Sequence, residues 1–228
     1  MRLTSSEYQM IVCMMGPSGC GKTSIIEQIM REAEPGVCHH VHVGRMLRAK
    51  YPVEKFKGRA AVEETEPEAI ALMEEGILEG LRNGATYIFV DGQPRTPQQV
   101  DRLMSIIALS EDDMGENDAR FVGAMLCSVL LFATTGVRFD RLQDRDHGDP
   151  QRLALSRERL HNDLIDGYGV LCRMMLEDWR PEAFDTSAGT VEQQASAVAA
   201  YLHKKHEMGA SVMSAMCVKS WRARNMSA

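Results

Sequence analysis

Eight residues, Gly16-Pro17-Ser18-Gly19-Cys20-Gly21-Lys22-Thr23, constrain this chain more than any other stretch. They fill every fixed position of the pattern GxxxxGK[ST], between an apolar run, Met10 to Met15, and a helix-like segment that continues to Met30. Glycines let a loop wind closely around a polyphosphate, so that consecutive backbone N–H groups and a helix N-terminus point at its oxygens. The pattern therefore predicts that Gly16, Ser18, Gly19, Cys20, Gly21, Lys22, Thr23 and Ser24 bind the phosphates of ATP. Lys22 would reach the β and γ phosphates, and the Thr23 hydroxyl would hold Mg²⁺. The alternative is an ordinary Gly-rich turn. A buried strand entering the loop and a helix leaving it favour the nucleotide site.

The remaining composition is compatible with one large domain. The 228 residues allow a sizeable core, and 44% apolar with 25% charged residues is the balance of a soluble globular protein. A net charge of −6 leaves no electrostatic footprint for nucleic acid. Cys13, Cys20, Cys38, Cys127, Cys172 and Cys217 form no CxxC pair and read as reduced thiols of a cytoplasmic protein. Residues 1–9 are polar, and no apolar stretch is long enough for a signal sequence or a membrane span. The expectation is a soluble, unprocessed, intracellular protein, monomeric and without a membrane or nucleic-acid partner.

Strand-like runs at Met10 to Met15, Val37 to Val43, Tyr87 to Val90, Met125 to Ala133 and Ala183 to Asp185 alternate with helical patterns. The helices are expected at Thr23 to Ala33, Gly44 to Lys50, Pro67 to Arg82, Thr96 to Leu109, Val137 to Arg145, Gln151 to Glu177 and Val191 to His203. Such alternation predicts a parallel sheet covered on both faces, with ligands beyond the carboxyl ends of its strands. The residues just past those ends matter most. Arg48 comes after the second strand and Arg95 after the third, each where a guanidinium would grip a second phosphate through two parallel hydrogen bonds.

Two segments carry a family resemblance. Asp91-Gly92-Gln93-Pro94-Arg95-Thr96 is similar to the DGFPRT segment of adenylate kinase-like nucleoside monophosphate kinases, and Val43-Gly44-Arg45-Met46-Leu47-Arg48 to their TGDLLR segment. Their order and spacing after the phosphate loop match, and the resemblance extends weakly through residue 203. It implies a three-layer α/β phosphate-loop fold with a five-stranded parallel sheet in the order 2-3-1-4-5, spanning residues 1–204. It also implies an acceptor segment at about 44–83 and a short lid at about 141–159, while a shift in composition sets off a basic tail at 205–228 outside the domain. By the same resemblance Arg48 and Arg95 clamp the acceptor's phosphate, Gly44, Asp91 and Gly92 also belong to the substrate site, Gln99 meets an adenine edge, and Asp91 joins Thr23 at Mg²⁺.

Arg138, Arg141 and Arg145 share one helical stripe, and Arg152 and Arg159 lie seven apart. The resemblance assigns Arg141 and Arg145, with Lys22 and Arg95, to catalysis, and Arg152 and Arg159 to substrate binding. Cations suit that place because phosphoryl transfer spreads negative charge over several oxygens. The bland reading is a solvated helix paired with Asp140, Asp144, Asp146 and Asp149.

Departures bear on specificity. Val43 replaces a threonine, Arg45 an acidic residue and Gln93 a phenylalanine. The lid is very short and the family's first lid arginine has no clear counterpart. His39, His40 and His42 alternate along the second strand with no acidic or cysteine partner at ligand spacing, and read as strand-end histidines without a metal. In Asp185 to Glu192, backbone near Ala188 and Gly189 is expected beside the donor base, with Thr190 as N-cap. The expected reaction is γ-phosphoryl transfer from ATP to a nucleoside monophosphate. Its rivals are a non-catalytic nucleotide-binding protein and a kinase for another small acceptor.

Overall fold

A computed structural model describes residues 2–6, 8–51, 59–107, 124–146, 154, 170–171, 173–174 and 179–225, without the side chains of 59–64 and 210–225. Its centre is β1, Met10–Met15, buried along its whole length. A strand covered on both faces needs a continuous apolar run, which MIVCMM provides. β1 pairs in parallel with β3 (Tyr87–Asp91) on one edge and β4 (Met125–Phe132) on the other. β2 (Cys38–Val41) lies outside β3, and β5 (Glu182–Asp185) outside β4. The sheet is five-stranded and wholly parallel in the order β2-β3-β1-β4-β5, as the sequence led one to expect.

Helices α1 (Lys22–Glu32), α2 (Val43–Lys50), α3 (Arg59–Arg82), α4 (Pro97–Ile107), α5 (Thr135–Arg145) and α6 (Val191–Asn225) complete the described elements. Side chains of β1 alternate between two apolar layers. Ile11, Cys13 and Met15 pack with Ile88, Val90, Met73 and Ile77 beneath α3 and α4. Met10, Val12 and Met14 pack with Phe89, Val129, Ile26 and Val198 beneath α1 and α6. Truncating one such side chain to alanine removes about 2–5 kcal/mol, so both layers hold β1, and with it the loop at its carboxyl end.

Some element limits differ from the sequence expectation. Pro67 was the natural first residue of α3, yet the helix begins at Arg59 and carries Pro67 inside. Ala60, Ala61, Glu63 and Glu64 are strong helix formers and extend it backward despite the missing N–H. α6 likewise runs on past His203 to Asn225, through a stretch with no proline to stop it. The expected Gln151 to Glu177 helix lies almost wholly outside the described residues. Among the described residues no helix is long and apolar enough to cross a membrane.

α3 approaches the β2–β3 edge through glycine. A Cβ on Gly76 would lie 2.6 Å from Val41 Cγ1, and one on Gly80 2.8 Å from the His39 ring. Gly76→Ala is therefore expected to push α3 off β2 and lower the unfolding free energy by about 1–3 kcal/mol, measured by urea titration. An unchanged midpoint would show that this glycine does not set the spacing.

Candidate active site

The carboxyl ends of β1, β2, β3 and β4 bring the phosphate loop, Arg48, Asp91, Arg95 and the start of α5 to one edge of the sheet. The phosphate loop connects β1 to α1 and takes its shape from Gly16, Gly19 and Gly21, at φ values of 128°, 83° and 89°. A Cβ on Gly16 would overlap the Leu131 carbonyl oxygen of β4, and one on Gly19 would lie 2.7 Å from the Arg138 carbonyl oxygen. Lys22 folds back over the loop, donating to the carbonyls of Gly16 at 2.7 Å and Pro17 at 3.0 Å. Cys20 is buried beneath the loop, whereas Ser24 is exposed on the first turn of α1.

Thr23 Oγ1 donates to Asp91 Oδ2 at 2.6 Å. Asp91 ends β3 and is only 5% exposed. Burial pushes its carboxyl pKa up, but hydrogen bonds from His40 and Thr23, with His42 and Lys22 nearby, outweigh that and hold it below the usual carboxylate range. Mg²⁺ takes oxygen donors and keeps several waters, so a hydroxyl beside an ionised carboxylate fits it. Among the described residues no group of three His, Cys, Asp or Glu side chains is placed to hold a metal ion.

The next residue links the loop to the proposed acceptor side. Gly92 has φ +72°, and a Cβ built there lies 3.2 Å from Arg95 Nη2 and 3.5 Å from Lys22 Cε. Thus the two cations border the same small space. Arg95 Nε donates to the Gly92 carbonyl at 2.8 Å, holding the guanidinium over the turn. Gln99 Oε1 accepts from the Arg95 N–H at 2.6 Å, and the Gln99 N–H donates to Thr96 Oγ1 at 3.3 Å. This is a variant of the reciprocal helix-capping box, and it places Gln99, 3% exposed, under the turn that carries Arg95. On α2, an added Gly44 Cβ would lie 3.3 Å from Arg48 Nη1, so the glycine leaves room for that exposed guanidinium.

α5 closes on the loop from the other side. Arg141 Nη2 donates to the Thr186 carbonyl at 2.6 Å, while Nη1 lies 3.3 Å from both the Gly19 carbonyl and Thr186 Oγ1. Arg145 forms a bidentate pair with Asp146, both bonds 2.8 Å. Arg152 and Arg159, and most of the expected lid, lie outside the described residues. Ala188 and Gly189 stand in the loop before α6, where the Ala188 carbonyl accepts from Gln194 Nε2 at 2.6 Å.

Three contributors escaped the sequence reading. Arg138 was seen only as one member of a stripe, yet it is 2% exposed and its Nε donates to the Ser18 carbonyl at 2.9 Å. Thr186, just past β5, donates its hydroxyl proton toward the Cys20 carbonyl at 2.9 Å, with the Phe132 carbonyl at 3.1 Å. His40 lies 3.3 Å from Asp91 Oδ2, an acidic partner that comes from the neighbouring strand rather than from nearby sequence. The signals available were alternation along β2 and a hydroxyl at a strand end. Neither names a partner.

The strand order and the phosphate loop match a P-loop NTPase-like fold. No protein-family model matches the chain, and no curated protein matches it. Among solved structures it is similar to the Deinococcus radiodurans tunicamycin resistance protein at 24% identity, covering 85% of this chain and 95% of that one, with a TM-score of 0.47. It is also similar to deoxyadenosine kinase from M. mycoides with bound dATP at 13% identity, covering 86% and 100% of the two chains, with a TM-score of 0.47.

Thr186→Val keeps the side-chain shape but removes the hydroxyl that ties β5 to the loop. The expected results are a loss of about 1–3 kcal/mol in stability and weaker ATP binding, read by denaturant titration and calorimetry. Wild-type values in both would show that the hydroxyl does not hold the loop.

Proposed function

We propose that this protein is an adenylate kinase-like phosphotransferase that moves the γ-phosphoryl group of Mg·ATP to a nucleoside monophosphate, with an AMP-like acceptor favoured, giving ADP and a nucleoside diphosphate. The observation that carries this reading is the pair of cations at Gly92. Lys22 belongs to the donor loop and Arg95 to the segment after β3, and both border one glycine. An acceptor phosphate held by Arg95 and Arg48 would then face the γ phosphate held by Lys22. Its attacking oxygen is already ionised near neutral pH, so no general base is required. Catalysis consists of positioning, charge neutralisation and exclusion of water.

When bound, Mg²⁺ would neutralise charge on the β and γ oxygens, with the Thr23 hydroxyl as a direct ligand and Asp91 holding its waters. The remaining work falls to the chain. Lys22 exchanges its two loop carbonyls for phosphate oxygens, a stronger partner for an ammonium. Arg141 and Arg145 are assigned to the charge that develops between the nucleotides, and Arg152 and Arg159 to substrate binding on closure. The protein is proposed to act as a cytoplasmic monomer, without nucleic acid or membrane.

The test is a coupled assay with ATP, Mg²⁺ and a panel of ribo- and deoxyribonucleoside monophosphates. Lys22→Ala should lower kcat by at least about 10²–10³-fold. Arg95→Ala should raise the KM for the acceptor by about 10–100-fold while ATP affinity stays near wild type, since hydrogen bonds to charged groups are worth about 1.5–3 kcal/mol. No turnover with any acceptor would overturn the kinase reading; calorimetric ATP binding without turnover would favour a nucleotide-binding protein instead. Unaltered acceptor kinetics in Arg95→Ala would move the acceptor site elsewhere.

A further inference from the structure

We infer that His40 is a positioning residue for the nucleotide's divalent cation, acting through Asp91; this rests on the Mg·ATP half of the function proposed above. β2 turns His39 toward Gly80 of α3 and His40 to the other face of the sheet, where His42, just past the strand, stacks on it. The His40 and His42 rings stack with centroids 5.5 Å apart and an interplanar angle of 11°. His40 Nε2 lies 3.3 Å from Asp91 Oδ2, the oxygen that also accepts from Thr23 at 2.6 Å. Since an ionised carboxylate only accepts, the His40 tautomer in this contact carries its proton on Nε2.

Two donors on one oxygen have a geometric consequence. A carboxylate turns freely about its last side-chain bond, because that torsion is broad and two-fold. The Thr23 bond alone leaves this rotation open. A second donor arriving from the adjacent strand fixes the carboxylate plane. Oδ2 then has both lone-pair sites committed, and Oδ1, which accepts no bond among the described residues, is the oxygen left to hold the waters of a cation on Thr23. His42 backs the His40 ring. Its own Nδ1 is 3.8 Å from Asp91 Oδ2, beyond hydrogen-bond range, and has no partner among the described residues. Asp91 thus presents one oriented oxygen to the phosphate loop because His40 holds the other.

The experiment measures calorimetric ATP binding by the full chain across a Mg²⁺ titration, in the wild type, His40→Leu and His40→Gln, with no acceptor present. Leucine fills the space without a donor, and glutamine returns an N–H at a similar reach. His40→Leu should need about ten-fold more Mg²⁺ for half-maximal enhancement of ATP binding, a loss typical of one hydrogen bond to a charged group. Its affinity for ATP in EDTA should equal that of the wild type, and His40→Gln should lie within about three-fold of the wild type in Mg²⁺ requirement. In an Asp91→Asn background, His40→Leu should have no further effect. If His40→Leu fails to fold, His40→Asn, too short to reach Oδ2, replaces it. An unchanged Mg²⁺ requirement in a folded variant, or equal losses with and without Mg²⁺, would overturn the inference while leaving phosphoryl transfer intact. Absence of turnover in the acceptor panel, with the His40 effect on Mg²⁺ still present, would overturn the kinase reading and leave this inference standing.

Discussion

The buried Asp91 carboxylate is the charge around which the carboxyl ends of the central strands are arranged. A charged group this far from water is tolerated only when donors and nearby positive charge offset its lost hydration. Thr23 comes from the first turn of α1, His40 from β2, and Lys22 adds positive charge from the loop. Each donor requires its strand or helix to sit at one height relative to β3. The parallel register, which places Val41 beside Val90 and Met14 beside Asp91, sets those heights. The apolar layers on either side of β1 therefore do more than hold the sheet together. They keep a hydroxyl, an imidazole and a carboxylate in one small volume.

A second set of contacts secures the loop from above. Arg138 and Thr186 hold the carbonyls of Ser18 and Cys20, and Arg141 spans from the Gly19 carbonyl to Thr186. All are bonds to carbonyl oxygens, so none of these side chains engages a loop N–H group. The protein grips the loop by its acceptors, and an anion would take its donors.

Much of this was legible in the sequence because it is local. The phosphate loop is eight consecutive residues, and β1 is one uninterrupted apolar run. The parallel sheet followed from alternation and its strand order from the family resemblance, and Arg95 was found because it closely follows a strand. Arg138, Thr186 and His40 were not legible as site residues. Their partners lie 120, 166 and 51 positions away, and a single sequence carries no sign of such pairings. Helix limits failed for a related reason. Pro67 is a strong local signal for a start, and it was overridden by the helix formers before it. The assignment of Gln99 to an acceptor base came from resemblance alone. What became visible in three dimensions is its cap on the turn that bears Arg95.

Cys20 is fully buried under the phosphate loop, and Cys13 and Cys127 are buried in the sheet. Burial pushes the Cys13 thiol far above its ordinary range, so it is unreactive while β1 stays paired. These thiols thus sit behind two doors of different weight. Alkylation of Cys20 requires that the loop lift from Arg138, Arg141 and Thr186, whereas alkylation of Cys13 requires the central strand to come apart. The chain carries its own chemical clock for separating local opening of the phosphate loop from global unfolding, with no cysteine introduced by mutation.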